Sequence, residues 1–153
     1  MTIKLVVFDF DGTITDGTVL FGNTPEAIFK GYYVRDGLGI MKLRERGVKI
    51  GVISGFKENK STREICQHLK VEYISMGSND KINIIKNWMD KMNITYDNVA
   101  FMGDDINDLS LLKIVGVSGC PSDARQECIN IVNFISKYPG GRGAVREFCD
   151  LFP

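Results

Sequence analysis

KLVVFDFDGTITDG, residues 4–17, drives a run of apolar residues straight into two carboxylates, Asp9 and Asp11, with only Phe10 between them. Side chains two apart on an extended segment point the same way, so the acids crowd one small space and repel each other unless something compensates. The run before them is apolar throughout, as a strand buried on both faces is. A central strand that ends in like charges is the pattern from which the rest of the chain is read.

Working outward from this first run at residues 4–8, similar short runs lie at 49–53, 73–76, 99–102 and 115–117. Between them the spacing predicts helices over 38–46, 61–69, 80–92 and 105–113. The third is the clearest, with Ile82, Ile85, Trp88, Met89 and Met92 on one face. Strand alternating with helix predicts an α/β fold, a central parallel sheet with helices on both faces. In such sheets the ligand site lies beyond the carboxyl ends of the strands. Residues 15–34 break the alternation with turn residues between two β-rich runs, which predicts a small β-hairpin inserted after the first strand and no large cap domain. No linker, repeat or low-complexity segment divides residues 1–153, so they are read as a single domain.

The composition, 44% hydrophobic and 25% charged, is that of a folded soluble protein. Its 19 basic and 19 acidic residues cancel, so no overall field recruits nucleic acid or an anionic membrane. Cys66, Cys120, Cys128 and Cys149 show neither a CxxC nor a zinc-type spacing with the one histidine, His68, and reduced thiols are expected. The opening MTIKLVVFDF is too short an apolar run for a membrane span and lacks the flanks of a signal peptide. A cytoplasmic location is expected.

Reading just past each strand collects polar residues that the fold would bring to one crevice. Asp9 and Asp11 follow the first run, Ser54 and Gly55 the second, Lys81 opens the third helix, and Gly103, Asp104, Asp105 and Asp108 follow the run at 99–102. Mg²⁺ takes oxygen ligands in an octahedron, commonly one or two carboxylates completed by water and phosphate, and would remove the repulsion. Asp9 and Asp104 are the expected direct ligands, Asp11 adds its backbone carbonyl, and Asp105 or Asp108 holds metal-bound water. Capping or a turn is the competing explanation for acids in such places, and it is strongest for Asp105.

Lys81 stands where the helix dipole disfavours a cation, which invites an anion such as phosphate; taken alone, it could equally be an exposed lysine beside Asp80. Ser54 offers a hydroxyl and Gly55 a closely approachable N–H, though alone they are merely a turn. Phe10 is grouped with these phosphate and substrate contacts. A carboxylate nucleophile can split phosphoester hydrolysis into two easier steps through an aspartyl phosphate. A second acid then protonates the leaving oxygen and later activates water. Asp9, nearer the strand, suits the nucleophile and Asp11 the acid/base, with Mg²⁺ and Lys81 screening the transferring phosphoryl group.

DFDGT, ISG, a lysine opening a helix and GDDINDL, in this order, resemble the four motifs of the haloacid dehalogenase (HAD) phosphohydrolase superfamily. The resemblance implies a Rossmann-like core, and it implies Asp9 as nucleophile, Asp11 as acid/base, Ser54 and Lys81 as phosphate ligands and Asp104 as the second metal carboxylate. Over nearly the whole chain, DGTITDG with its hairpin, VRDGLGIMKLRERGVKIGVISG, VAFMGDDINDLSLLKIVGVSGCPSDA and GGRGAVREFCDL are similar to the capless branch containing the 3-deoxy-D-manno-octulosonate (KDO) 8-phosphate phosphatases. This likeness implies a phosphorylated sugar acid as substrate. It also implies a homotetramer in which the hairpin of one subunit walls the active site of a neighbour. GGRGAVRE has a reading of its own: its glycines let the backbone turn ahead of a helix, and Arg142 can offer a fork of donors to a substrate carboxylate or lie on the surface of the turn.

Two departures bear on the sugar end of the pocket. Phe56 stands where many relatives carry arginine, followed by the lysine-rich KENKSTRE, and the chain stops at Phe152 and Pro153 where some octulosonate phosphatases continue into a tail over the active site. KDO 8-phosphate is the leading expectation; a nine-carbon acid phosphate (N-acylneuraminate or KDN 9-phosphate) is the enzymatic alternative. A non-catalytic tetramerisation domain, as in some sialic acid cytidylyltransferases, comes from another class, and intact Asp9, Asp11, Lys81 and Asp104 argue against it. A receiver domain phosphorylated on aspartate would not place the DxD pair directly after the first strand in a DGT setting.

Overall fold

The computed structural model describes residues 2–153. In chain order its elements are β1 (Leu5–Asp9), β2 (Leu20–Phe21), β3 (Ile28–Phe29), α1 (Val34–Glu45), β4 (Lys49–Ser54), α2 (Lys60–His68), β5 (Tyr73–Met76), α3 (Lys81–Met92), β6 (Val99–Met102), α4 (Leu109–Leu112), β7 (Val117–Cys120), α5 (Gln126–Ile129), β8 (Phe134–Ile135) and α6 (Ala144–Cys149). Among the described residues, six strands form one sheet in the order β5-β4-β1-β6-β7-β8, parallel throughout. The insertion after β1 is an antiparallel pair, Leu20 opposite Phe29 and Phe21 opposite Ile28, so the predicted hairpin stands in place of a cap.

The strand alternation of β1 explains the layers. Val6 and Phe8 face a core with Ile40, Leu43, Val145 and Phe148 from α1 and α6, while Leu5 and Val7 face another with Ile85, Trp88 and Met89 from α3. All four β1 side chains are fully buried, each contributing about 1.5–3 kcal/mol. This anchors the charged end of the strand in one place. From β1 the chain steps outward to β4 and β5, then returns to lay β6 on the other side of β1. The order reverses there, and a crevice opens at the carboxyl ends of β1 and β6.

The structure departs from expectation in four places along the chain. Helix α1 begins at Val34 rather than 38, because Gly37 and Gly39 weaken the helical pattern while close packing of Gly39 on Arg146 and Cys149 favours it. Val115, read as the start of a strand over 115–117, instead closes the turn after α4 by donating to Leu111 O, and β7 starts at Val117. The segment 105–113 splits into a 3₁₀ turn at Ile106–Asp108 and the short α4. Helix α5 and the two-residue β8 lie in sequence too brief to show a period.

Candidate active site

A cavity of about 350 Å³ opens at the strand ends, lined by Asp9, Asp11, Ser54, Gly55, Phe56, Asn79, Asp104, Asp105 and Asn107. Asp9 is the last residue of β1. The chain then makes a tight turn in which Gly12 has φ +87° and Asp104 lies against it, so that a Cβ at Gly12 would collide with Asp104 Oδ2. Thr13 Oγ1 donates to Asp104 Oδ1 at 3.2 Å. The first motif thus holds the fourth.

Beneath the cavity Lys81 is 1% exposed. Its Nζ donates to Asp9 Oδ1 and to Asp108 Oδ1, both at 2.6 Å. The anion that a lysine at a helix start calls for is therefore a pair of carboxylates in this state. Asp80 caps α3, accepting from Asn83 N, which leaves Lys81 free to turn inward. Asp108, fully buried, also accepts from the backbone N–H of Asp104 and Asp105 through Oδ2, at 3.0 and 3.2 Å. It builds the turn that presents Asp104. Asp105 is exposed and accepts from Ile106 N at 2.7 Å, the capping role that competed for it.

One carboxylate oxygen each from Asp9, Asp104 and Asp108 lie within 4.8 Å of one another. Burial, then the nearby Asp108 charge, raises the pKa of Asp9 well above the usual carboxyl value, with Lys81 opposing. The same two causes lift Asp104 to about 6. For Lys81 burial works against the charge, yet Asp9 and Asp108 outweigh it and the pKa is raised. Carboxylates that resist ionisation together are oxygen donors in want of a further cation, which fits a hard divalent ion.

Ser54 and Gly55 line this cavity as expected, with Ser54 Oγ accepting from Phe56 N at 3.1 Å. Two candidates do not join them. The Phe10 side chain is fully buried in the core, since the residue between two outward acids must point the other way; it can meet substrate only through its backbone. Arg142 lines a separate cavity of about 350 Å³ with Asp16, Thr18, Leu20, Phe29 and Lys30, and its Nη2 lies 3.8 Å from Asp16. Asn79, Asn107 and Thr13 belong to the site without having been singled out. The motif text DGT and the SNDK stretch ahead of Lys81 were the available signals for Thr13 and Asn79.

The profile of the haloacid dehalogenase-like hydrolase family matches residues 56–147. The KDO 8-phosphate phosphatase KdsC of Escherichia coli K12 is 34% identical over 149 residues, spanning 97% of this chain and 78% of the relative. Among solved structures, KDO 8-phosphate phosphatase from Yersinia pestis superposes with a TM-score of 0.93 at 31% identity, covering 98% of this chain and 80% of that one. The Moraxella catarrhalis enzyme, in complex with magnesium ion, phosphate ion and KDO, gives a TM-score of 0.92 at 29% identity over 98% of this chain and 85% of its own. Match along almost the full length, together with the four strand-end motifs in one crevice, shows that the chain belongs to the haloacid dehalogenase-like hydrolases, as an enzyme of their phosphatase branch related to KDO 8-phosphate phosphatase.

Proposed function

We propose that the chain is a Mg²⁺-dependent phosphatase that hydrolyses KDO 8-phosphate through an aspartyl phosphate. The observation that carries this reading is the buried Asp9–Lys81–Asp108 chain of 2.6 Å bonds beneath an open cleft that also holds Asp11 and Asp104. The substrate comes from the similarity to KDO 8-phosphate phosphatases along nearly the whole chain.

Asp9 and Asp104 carboxylates and the Asp11 carbonyl would hold the metal, with Asp105 and Asp108 nearby to orient water. Bound there, Mg²⁺ neutralises the carboxylates and withdraws charge from the phosphoryl oxygens. In the first step the Asp9 carboxylate forms a bond to phosphorus as the bond from phosphorus to the sugar oxygen breaks. Asp11 gives its proton to that departing oxygen. In the second, Asp11 takes a proton from water as the water oxygen displaces Asp9 from phosphorus, releasing phosphate and restoring both acids. Lys81, already bonded to Asp9, would hold the nucleophile and supply positive charge; Ser54 Oγ and the Gly55 N–H would bind phosphoryl oxygens. Arg142 in the adjoining cavity is the group suited to a sugar carboxylate.

The hairpin carries Leu20, Phe21 and Phe29 at 60%, 74% and 57% exposure, an apolar tip that a homotetramer would cover against a neighbouring subunit. Four unpaired, buried thiols suit the reducing cytoplasm. A phosphate-release screen with Mg²⁺ over KDO 8-phosphate and nine-carbon acid 9-phosphates tests the reading. KDO 8-phosphate should give the highest kcat/KM, and Asp9→Asn should lose at least ~10³-fold in kcat. Preference for a nine-carbon acid would move the assignment to that substrate, and no turnover of any phosphoester would leave the scaffold alternative. Sedimentation tests the assembly, since a fully active monomer would remove the role given to the neighbouring hairpin.

A further inference from the structure

The hairpin is exposed along most of its length, yet one of its polar residues is completely enclosed. Lys30, next after β3, has a side chain with 0% exposure. Buried lysines are rare unless paired, and this one is paired with a residue of the cleft: its Nζ donates to Asp11 Oδ1 at 2.7 Å. The ammonium also sits 3.9 Å from the centre of the Phe56 ring and 5.6 Å from that of Phe10, within the range of a cation–π attraction.

Resting on the acid/base assignment of Asp11 above, we propose that Lys30 is the positioning residue for that carboxylate, itself seated by the Phe56 ring. A short charged hydrogen bond to one carboxylate oxygen fixes the rotamer of Asp11. Oδ1 is engaged, and a proton bound for the leaving group travels on Oδ2. The backbone of Lys30 lines the cavity that holds Arg142, while Asp11 lines the one that holds Asp9. The hairpin then does more than shelter the site, because its root sets the geometry of proton transfer.

Steady-state kinetics with two substrates test this. KDO 8-phosphate, or N-acylneuraminate 9-phosphate if that is turned over faster, has an alcohol leaving group that needs a proton; p-nitrophenyl phosphate releases a phenolate that does not. For Lys30→Met the ratio of kcat on the sugar acid phosphate to kcat on p-nitrophenyl phosphate should fall ~10–100-fold, with KM little changed. Lys30→Arg should restore most of the ratio, and Phe56→Leu should lower it in the same sense by less. A lysine that only staples the hairpin would lower both kcat values alike, and one that binds substrate would raise KM instead; either result overturns the proposal. If Lys30→Met does not fold by circular dichroism, Phe56→Leu carries the same ratio test, and an unchanged ratio there overturns it. Wild type inert on every substrate would sink the phosphatase reading itself, a failure distinct from an active enzyme indifferent to Lys30.

Discussion

Asp36 on α1 accepts the backbone N–H of Arg146 on α6 at 2.9 Å, 110 residues away in sequence. Its other oxygen accepts from Gly143 N at 3.3 Å, so one carboxylate caps the helix that follows the GGRG loop. That loop packs on the turn after Asp9, with Gly141 N donating to Thr13 O at 3.0 Å. A residue of no catalytic promise therefore fixes the far support of the site. Asp36→Ala leaves two buried N–H groups without their acceptor and should cost about 1–3 kcal/mol, read from the urea midpoint at unchanged m-value.

The same residue makes a pH prediction. Burial pushes the Asp36 pKa up, the N–H groups of Arg146 and Gly143 opposing. A carboxyl raised on folding binds more protons folded than unfolded between its two pKa values. Its contribution to stability therefore declines as pH rises from the ordinary 3.8 through the raised value, and is flat above it. Asp36→Asn cannot titrate, so the stability difference, wild type minus variant, should shrink with rising pH and then level. Melting curves of both proteins from about pH 4 to about pH 7 would show it; a difference that grows with pH would contradict the assignment.

Asp36 and Lys30 also mark where sequence reading stopped. Asp9, Asp11, Ser54, Lys81 and Asp104 could be gathered in one crevice because each ends or closely follows a strand, or opens a helix, and a parallel sheet brings such positions together whatever its details. Strands buried on both faces announce themselves as apolar runs, so the sheet itself was legible. Asp36 lies among glycines with no period, and Lys30 in an irregular hairpin. Their burial is decided by contacts at long range, to residues 143–146 for one and to Asp11 and Phe56 for the other. Phe10 and Val115 show the converse: apolar character alone did not say which way the first points or whether the second closes a helix.

Magnesium should stabilise the fold as well as serve the reaction. Asp9 and Asp104 are held with raised pKa values by burial and by Asp108, and a bound dication relieves that repulsion. At 100 times its Kd, Mg²⁺ would add about 2.7 kcal/mol, seen as a rise in Tm that a chelator reverses. Asp104→Asn should lose most of the rise. A Tm indifferent to Mg²⁺ in wild type would count against Mg²⁺ binding to the folded chain, and a rise undiminished in Asp104→Asn would place the metal elsewhere.

Gly140 is where the two loops of the site touch. A Cβ there would collide with the carbonyl oxygen of Gly12, so Gly140→Ala must push the GGRG loop off the turn that carries Asp11. The expected cost is about 1–3 kcal/mol, accompanied by a fall in kcat because Asp11 moves with its turn. Gly31→Ala, where nothing lies within 4 Å of the added carbon, is the stability control and should stay within about 0.5 kcal/mol of wild type. Equal stability of the two variants would show that the loop contact is not maintained in solution.

The thiols give the last prediction. Burial pushes Cys66 and Cys128 up to about 12 and Cys120 to about 11, and raises Cys149 as well. The reactive species is the thiolate, which at pH 8 would be roughly one part in 10⁴ for a thiol of pKa 12. Native protein should therefore be nearly inert to a disulfide reagent such as dithionitrobenzoate, and all four thiols should react once guanidinium unfolds the chain. Rapid labelling of the folded chain would mean that the two cores open far more readily than their packing implies.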